Sequence, residues 1–127
     1  MPDPEAIDRV SELWARGGET WSQACITHWV EHPRVRERIS RKITGRDGSE
    51  AYHHFVYEDL GGQVPVDRAL TLGCGVGELE RGLVQYDFCR HHDAFDVSEG
   101  AIATAKQQAE ALGHTHIHYE VQDLNRV

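Results

Sequence analysis

A chain of 127 residues, 39% hydrophobic and 27% charged, is long enough for one domain burying roughly two-thirds of its unfolded surface, and its composition excludes a disordered chain. Thirteen basic against 21 acidic residues leave a formal charge of −8, which excludes non-specific attraction to nucleic acid or an anionic membrane but leaves room for a local basic patch. No apolar run is long enough to span a bilayer, no signal peptide is read, and the three scattered cysteines, Cys25, Cys74 and Cys89, read as reduced thiols of a cytoplasmic protein.

Residues 1–62 predict helices. Residues 4–16 place Ile7, Val10, Leu13 and Trp14 on one stripe, and Gly17-Gly18 ends it. An aromatic-rich stretch, residues 21–30, follows without a clear period. Pro33 then starts a helix with Val35, Ile39 and Ile43 at four-residue spacing, closed by Gly45. Arg34, Arg38 and Lys42 also fall four apart on it, with Arg36, Arg41 and Arg46 nearby. That is either a patch for an acidic acceptor or nucleic acid, or a solvated face with Glu37 interleaved. A further helix is expected from Ser49 as N-cap, with Tyr52, Phe55 and Val56 inward, ending at Gly61-Gly62.

The character changes after the linker-like residues 61–65. Arg68-Ala69-Leu70-Thr71-Leu72 is apolar and β-prone, as a buried strand would be, and Gly73, Gly75 and Gly77 alternate behind it before an amphipathic helix. Glycines at a strand-to-helix turn allow positive φ and put no Cβ between chain and ligand, and the amides of the helix start face the turn. A nucleotide cradle is the expectation. The dinucleotide fingerprint G-x-G-x-x-G is not met, because position 78 is Glu and the third glycine comes one residue early, which disfavours a nicotinamide oxidoreductase. No Gly-Lys-Ser/Thr follows, so it is not a P-loop. His92-Asp93-Ala94-Phe95-Asp96-Val97 reads as a second strand ending in an acid 21 residues after Gly75, placed to accept ribose hydroxyls. Ser98 caps a helix over residues 99–112 with Ile102, Ala105, Ala109 and Leu112 toward the sheet.

These residues resemble a family. Leu70-Thr71-Leu72-Gly73-Cys74-Gly75-Val76-Gly77 resembles the first motif of class I S-adenosylmethionine-dependent methyltransferases. Phe95-Asp96-Val97-Ser98-Glu99-Gly100-Ala101-Ile102 resembles their second-strand acid and helix start, and Tyr119-Glu120-Val121-Gln122-Asp123-Leu124-Asn125 is similar to their third-strand end. The resemblance implies an α/β fold, a helical cap over residues 1–62 followed by a partial Rossmann-like parallel sheet, β-α-β-α-β, over residues 63–127. It implies S-adenosylmethionine as cofactor, with Gly73, Cys74, Gly75 and Gly77 at its methionine and ribose, Asp96 and Val97 at the ribose, and Asp123 and Leu124 at the adenine. Where the family usually carries an acid two residues before the first glycine, this chain has Thr71.

The resemblance also implies seven strands, whereas the chain stops after the third. A truncated product, a fragment, or a protomer that completes its sheet from a partner is therefore expected, with the outer edge of the first strand bare and open to self-association. The function implied is methyl transfer to an unidentified acceptor, most simply a small molecule, with the cofactor half supplied here; the alternative is a non-catalytic fragment that binds cofactor or partner. In the family such N-terminal helices cover the cofactor pocket, which makes Trp14, Trp21, His28 and Trp29 lid or substrate candidates, or else the segment's own core. His28 is the one nameable candidate base. His28-Trp29-Val30-Glu31-His32-Pro33 is loosely similar to bacterial methyltransferases of unassigned substrate. Asp96→Ala is expected to abolish cofactor binding and leave the fold intact.

His114, His116 and His118 alternate and on a strand would share a face, but no carboxylate or Cys completes a recognisable ligand spacing, so no metal is expected. The adjacent pairs His53-His54 and His91-His92 point apart on regular structure and do not read as sites.

Overall fold

The computed structural model of the chain describes residues 5, 7–12, 32–48 and 50–126. Residues 7–12 are helical. Helix α1, Pro33–Thr44, starts on a proline whose fixed φ suits the first turn, and ends where Gly45 turns left-handed at φ 71° and donates its amide to Arg41 O. Its apolar stripe stays half-open: Ile39 is 39% and Ile43 51% exposed.

Helix α2, Ala51–His54, begins behind Glu50, and no side chain caps it; the expected cap, Ser49, lies outside the described residues. It runs into a π-turn, Phe55–Asp59, that buries Val56 completely and leaves Phe55 exposed. The inward reading of Phe55 rested on 3.6 residues per turn, and the wider π-turn swings that position off the stripe. Gly61 and Gly62, both at positive φ, then end the segment. Tyr52 reaches α3 at Gly82, where a Cβ would come 3.1 Å from its ring, and Tyr86 donates to Glu50.

From residue 66 the order is β1 (Val66–Leu72), α3 (Glu78–Val84), β2 (Cys89–Asp96), α4 (Glu99–Ala111), β3 (Ile117–Val121) and a 3-10 turn, Leu124–Arg126. The strands form one parallel sheet in the order β1-β2-β3, with Ala69 opposite His92 and Ala94 opposite Tyr119. Ala94, Ile117 and Tyr119 point to one face, where they bury Ile102, Ala105 and Ala109 of α4; Val84 of α3 packs on the same cluster. Alanines at 105 and 109 let α4 approach the sheet closely. Ser98 caps α4 through its Oγ, which accepts from Ala101 N at 3.3 Å. The helix ends at Ala111, one residue short of the expectation, so Leu112 is an exposed cap residue and does not face the sheet.

The other face carries Arg68, Leu70 and Leu72 of β1, His91 and Asp93 of β2, and His118 and Glu120 of β3, as the register requires. Leu70 is 60% and Leu72 59% exposed, so β1 is not the buried strand its composition suggests. It is an edge strand, and its second face is open among the described residues. Asp93 accepts from Arg68 at 2.7 Å and lies 2.9 Å from His91 Nε2. β3 begins only at Ile117, so His114 and His116 precede the strand and the three imidazoles do not share its face; His118 instead meets His91, ring centroids 4.8 Å apart.

Candidate functional site

The site is assembled where β1 and β2 end. Gly73, Gly75 and Gly77 all take positive φ. The turn's amides are mostly committed inside the protein: Gly73 N and Cys74 N donate to Phe95 O at 2.7 and 3.0 Å, and Gly77 N to Cys74 O at 3.0 Å. Gly75 N donates to Asp96 Oδ2 at 2.8 Å. These bonds tie the turn of residues 73–77 from β1 to the tip of β2; the expectation of a cradle concerned the amides of the helix start behind it, which these bonds do not use.

The glycines differ in what their missing Cβ spares. At Gly73 and Gly75 nothing lies within 4 Å of a Cβ, whereas at Gly77 it would strike the Tyr119 ring, with Cζ at 2.7 Å. Gly77 therefore makes room for a protein side chain, and Tyr119 OH donates to its carbonyl at 3.3 Å.

Asp96 holds the centre. Its Oδ2 accepts from Gly75 N, and its Oδ1 accepts from Ser98 N at 2.9 Å, tying the glycine turn to the start of α4. A carboxylate offers about four lone-pair positions, so acceptor capacity remains after these bonds. Gln122 N donates to Asp96 O at 2.9 Å and brings the end of β3 alongside. There Asp123 Oδ1 accepts from Asn125 N and Nδ2 at 3.0 and 2.9 Å.

One cavity of about 360 Å³ is lined by Gly73, Asp96, Val97, Asp123 and Leu124, together with Ile7, Val10 and Asn125. Five positions singled out in the sequence thus share one space. Cys74, Gly75 and Gly77 are not in its wall; Gly75 acts through Asp96, and Cys74 packs on the core cluster. Burial first, and the charges of Glu80 and Asp96 next, push the Cys74 thiol up to about 12, so it is neutral and unreactive at physiological pH. Ile7 and Val10 were recognised only as a helical stripe. Their place over the cavity follows from the Ser98 Oγ bond to Ser11 O, 3.1 Å, which no local pattern announces. Trp14, Trp21, His28 and Trp29 lie outside the described residues.

Two buried polar groups flank the turn. Thr71, at the position of the family's acid, pairs its Oγ1 with His92 Nε2 at 2.8 Å on the helix-covered face. Burial, reinforced by His116, pushes the His92 imidazole below its ordinary value and keeps it neutral. Glu80 on α3 is 1% exposed, and among the described residues neither carboxylate oxygen has a hydrogen-bond partner. With burial as the larger cause, Glu80 also pushes the Tyr119 phenol up to about 12.

No family model matches the sequence, and no curated protein does. Among solved structures, the magnesium protoporphyrin IX methyltransferase of Synechocystis PCC 6803 with bound SAM matches 100% of this chain and 59% of its own, at TM-score 0.66 and 18% identity. The same enzyme with bound SAH matches 94% of this chain and 52% of its own, at TM-score 0.62 and 20% identity. The chain has the class I methyltransferase fold. A SAM-dependent methyltransferase of Thiobacillus denitrificans, in complex with S-adenosyl-L-homocysteine, matches 51% of this chain and 27% of its own, at TM-score 0.41 and 29% identity. The chain spans 59% or less of the length of each of these proteins. Within the methyltransferase fold, the cavity sits at the carboxyl ends of the parallel strands, where open α/β sheets bind ligands.

Proposed function

We propose that this chain binds S-adenosylmethionine in the cavity at the strand ends and supplies the cofactor half of a methyltransferase. The observation that carries the reading is the convergence of Gly73, Asp96, Val97, Asp123 and Leu124 on one space of small-molecule size. Asp96, with acceptor capacity left after Gly75 N and Ser98 N, takes the ribose hydroxyls. Asp123 accepts from the adenine amino group. Val97 and Leu124, with Ile7 and Val10, give the apolar walls that a purine needs, and Gly73 leaves the backbone bare on the methionine side.

The bound cofactor supplies a methyl group on a sulfonium, ready for in-line displacement by a nucleophilic N, O or C atom. What these residues contribute is position: they hold one reactant fixed while the other approaches, the source of much of the acceleration in such transfers. The acceptor is most simply a small molecule. No described side chain in the cavity is placed as a base for it.

A second reading, a fragment that binds cofactor or partner without turnover, is supported by Thr71. Its hydroxyl is engaged by His92, and no acid stands at that position. The outer edge of β1, unpaired among the described residues, supports completion of the sheet by a second chain or copy.

Calorimetric titration with S-adenosylhomocysteine, beside NADH, tests the reading. Saturable binding of the homocysteine nucleoside alone is expected, with methyl transfer then assayed on candidate acceptors. Absence of heat with either ligand overturns the cofactor assignment; binding without turnover on any acceptor selects the second reading.

A further inference from the structure

Two carboxylates line the strand-end cavity, Asp96 and Asp123, and the chain holds each of them with a pair of N–H donors. Asp96 takes one donor on each oxygen, Gly75 N and Ser98 N. Asp123 takes both on a single oxygen: Asn125 N lies 3.0 Å and Asn125 Nδ2 2.9 Å from Asp123 Oδ1. The bond from Gln122 N to Asp96 O, 2.9 Å, sets the end of β3 beside the end of β2, so the two acids are held at neighbouring places in the wall. Asn125 lines the same cavity, and Leu124 stands between it and Asp123 in the chain.

Beside a carboxylate, only the NH2 group of the Asn125 amide can face Asp123, because its carbonyl oxygen would repel Oδ1. One bond from the backbone N–H and one from this side chain leave the Asp123 carboxylate little freedom to turn. An ionised carboxylate accepts hydrogen bonds and donates none. Purine nucleosides differ in what they present at carbon 6: a 6-amino purine offers a donor, which such an acceptor welcomes, and a 6-oxo purine offers an acceptor, which it repels. A carboxylate free to rotate away would tolerate both, so discrimination depends on the clamp. We infer that Asn125 is a positioning residue which, acting through Asp123, makes the site select 6-amino over 6-oxo purine nucleosides. The inference rests on the cofactor reading, and it gives Asn125 a part that Asp96, at the ribose, does not play.

Titration of the parent, Asn125→Leu and Asn125→Ala with S-adenosylhomocysteine and with S-inosylhomocysteine, its 6-oxo counterpart, tests this. Both substitutions remove the side-chain donor and keep the backbone N–H, and leucine also keeps the size of asparagine. The parent should bind the 6-amino ligand at least tenfold more tightly than the 6-oxo one. Each variant should bind the 6-amino ligand about tenfold more weakly than the parent, the loss of one charge-assisted contact, and the 6-oxo ligand with little change, so that the preference collapses. Asn125 is exposed, so both variants should keep the parent's thermal unfolding midpoint. A merely structural role would weaken both ligands alike and preserve their ratio. If the preference survives in both variants, or if the parent binds the two ligands equally, the inference is overturned and the cofactor reading stands. Binding of neither ligand by the parent overturns both.

Discussion

Gly77 and Tyr119 hold each other in place. Alanine at 77 has to adopt φ near 76° and to displace a ring that is itself buried against β3 and α4. Left-handed backbone costs about 1–2 kcal/mol and overpacking a further 1–3 kcal/mol, so Gly77→Ala should lose roughly 2–5 kcal/mol. Gly73→Ala has the same φ problem but open space, and should lose only about 1–2 kcal/mol. Urea unfolding of the two variants side by side checks the difference; equal losses would show that Tyr119 does not crowd Gly77. Asp96 likewise has a structural duty beside its proposed ligand role. Removing an ionised acceptor of two backbone amides should cost about 2–4 kcal/mol, so Asp96→Ala weakens the fold as well as ligand binding, and the sequence-based expectation of an intact fold is revised. The midpoint of thermal unfolding without ligand reads this directly. His92 gives the chain an acid sensitivity. Its folded pKa lies below 6.5, so the unfolded chain takes up the proton first. Its contribution is complete above about pH 6.5 and is lost as pH falls through and below that value. Stability measured at pH 7.5 and 5.5 should fall in the parent and fall less in His92→Phe.

At the scale of the elements, the helix that organises the site is α4. Ser98 caps it, is fully buried, and also donates to Ser11 O, so it joins the helix to the N-terminal residues over the cavity. Ser98→Ala should cost about 1–2 kcal/mol in urea unfolding and, by releasing residues 7–12, weaken S-adenosylhomocysteine binding more than the stability loss alone would. Much of this layer was legible, because its signals are local: Pro33 and Gly45 bound α1, the alternating glycines mark the β1–α3 turn, and Ser98 marks α4. What was not legible depends on distant partners. Phe55 and Leu112 were read inward from helical period, but a π-turn and an early helix end moved them out. Glu80 gives no sign in the sequence that α3 buries its carboxylate without a partner among the described residues. The cavity itself required Ile7 and Val10 to meet residues 96–125, a closure across most of the chain.

For the whole molecule, the governing fact is that β1 is both the strand bearing the glycine turn and the sheet's outer member. Alternation within β1 could not say which face is covered, since helices α3 and α4 both lie on the face of Ala94 and Tyr119. Leu70 and Leu72 consequently sit on an exposed, unpaired apolar edge, a surface that favours association between chains. The protein should self-associate in a concentration-dependent way by light scattering, and Leu70→Lys should reduce this without lowering the unfolding midpoint. A strictly monomeric parent at high concentration would sink the idea.

The internal bonding of the glycine turn has a kinetic consequence. Because Phe95 O and the Asp96 carboxylate already hold its amides, the turn has one shape before any ligand arrives, and its ordering entropy is lost during folding. A ligand entering the strand-end cavity meets a finished wall on that side. Its association rate should then be set by diffusion and by residues 7–12 moving aside, and the turn itself should add no slow phase to the approach.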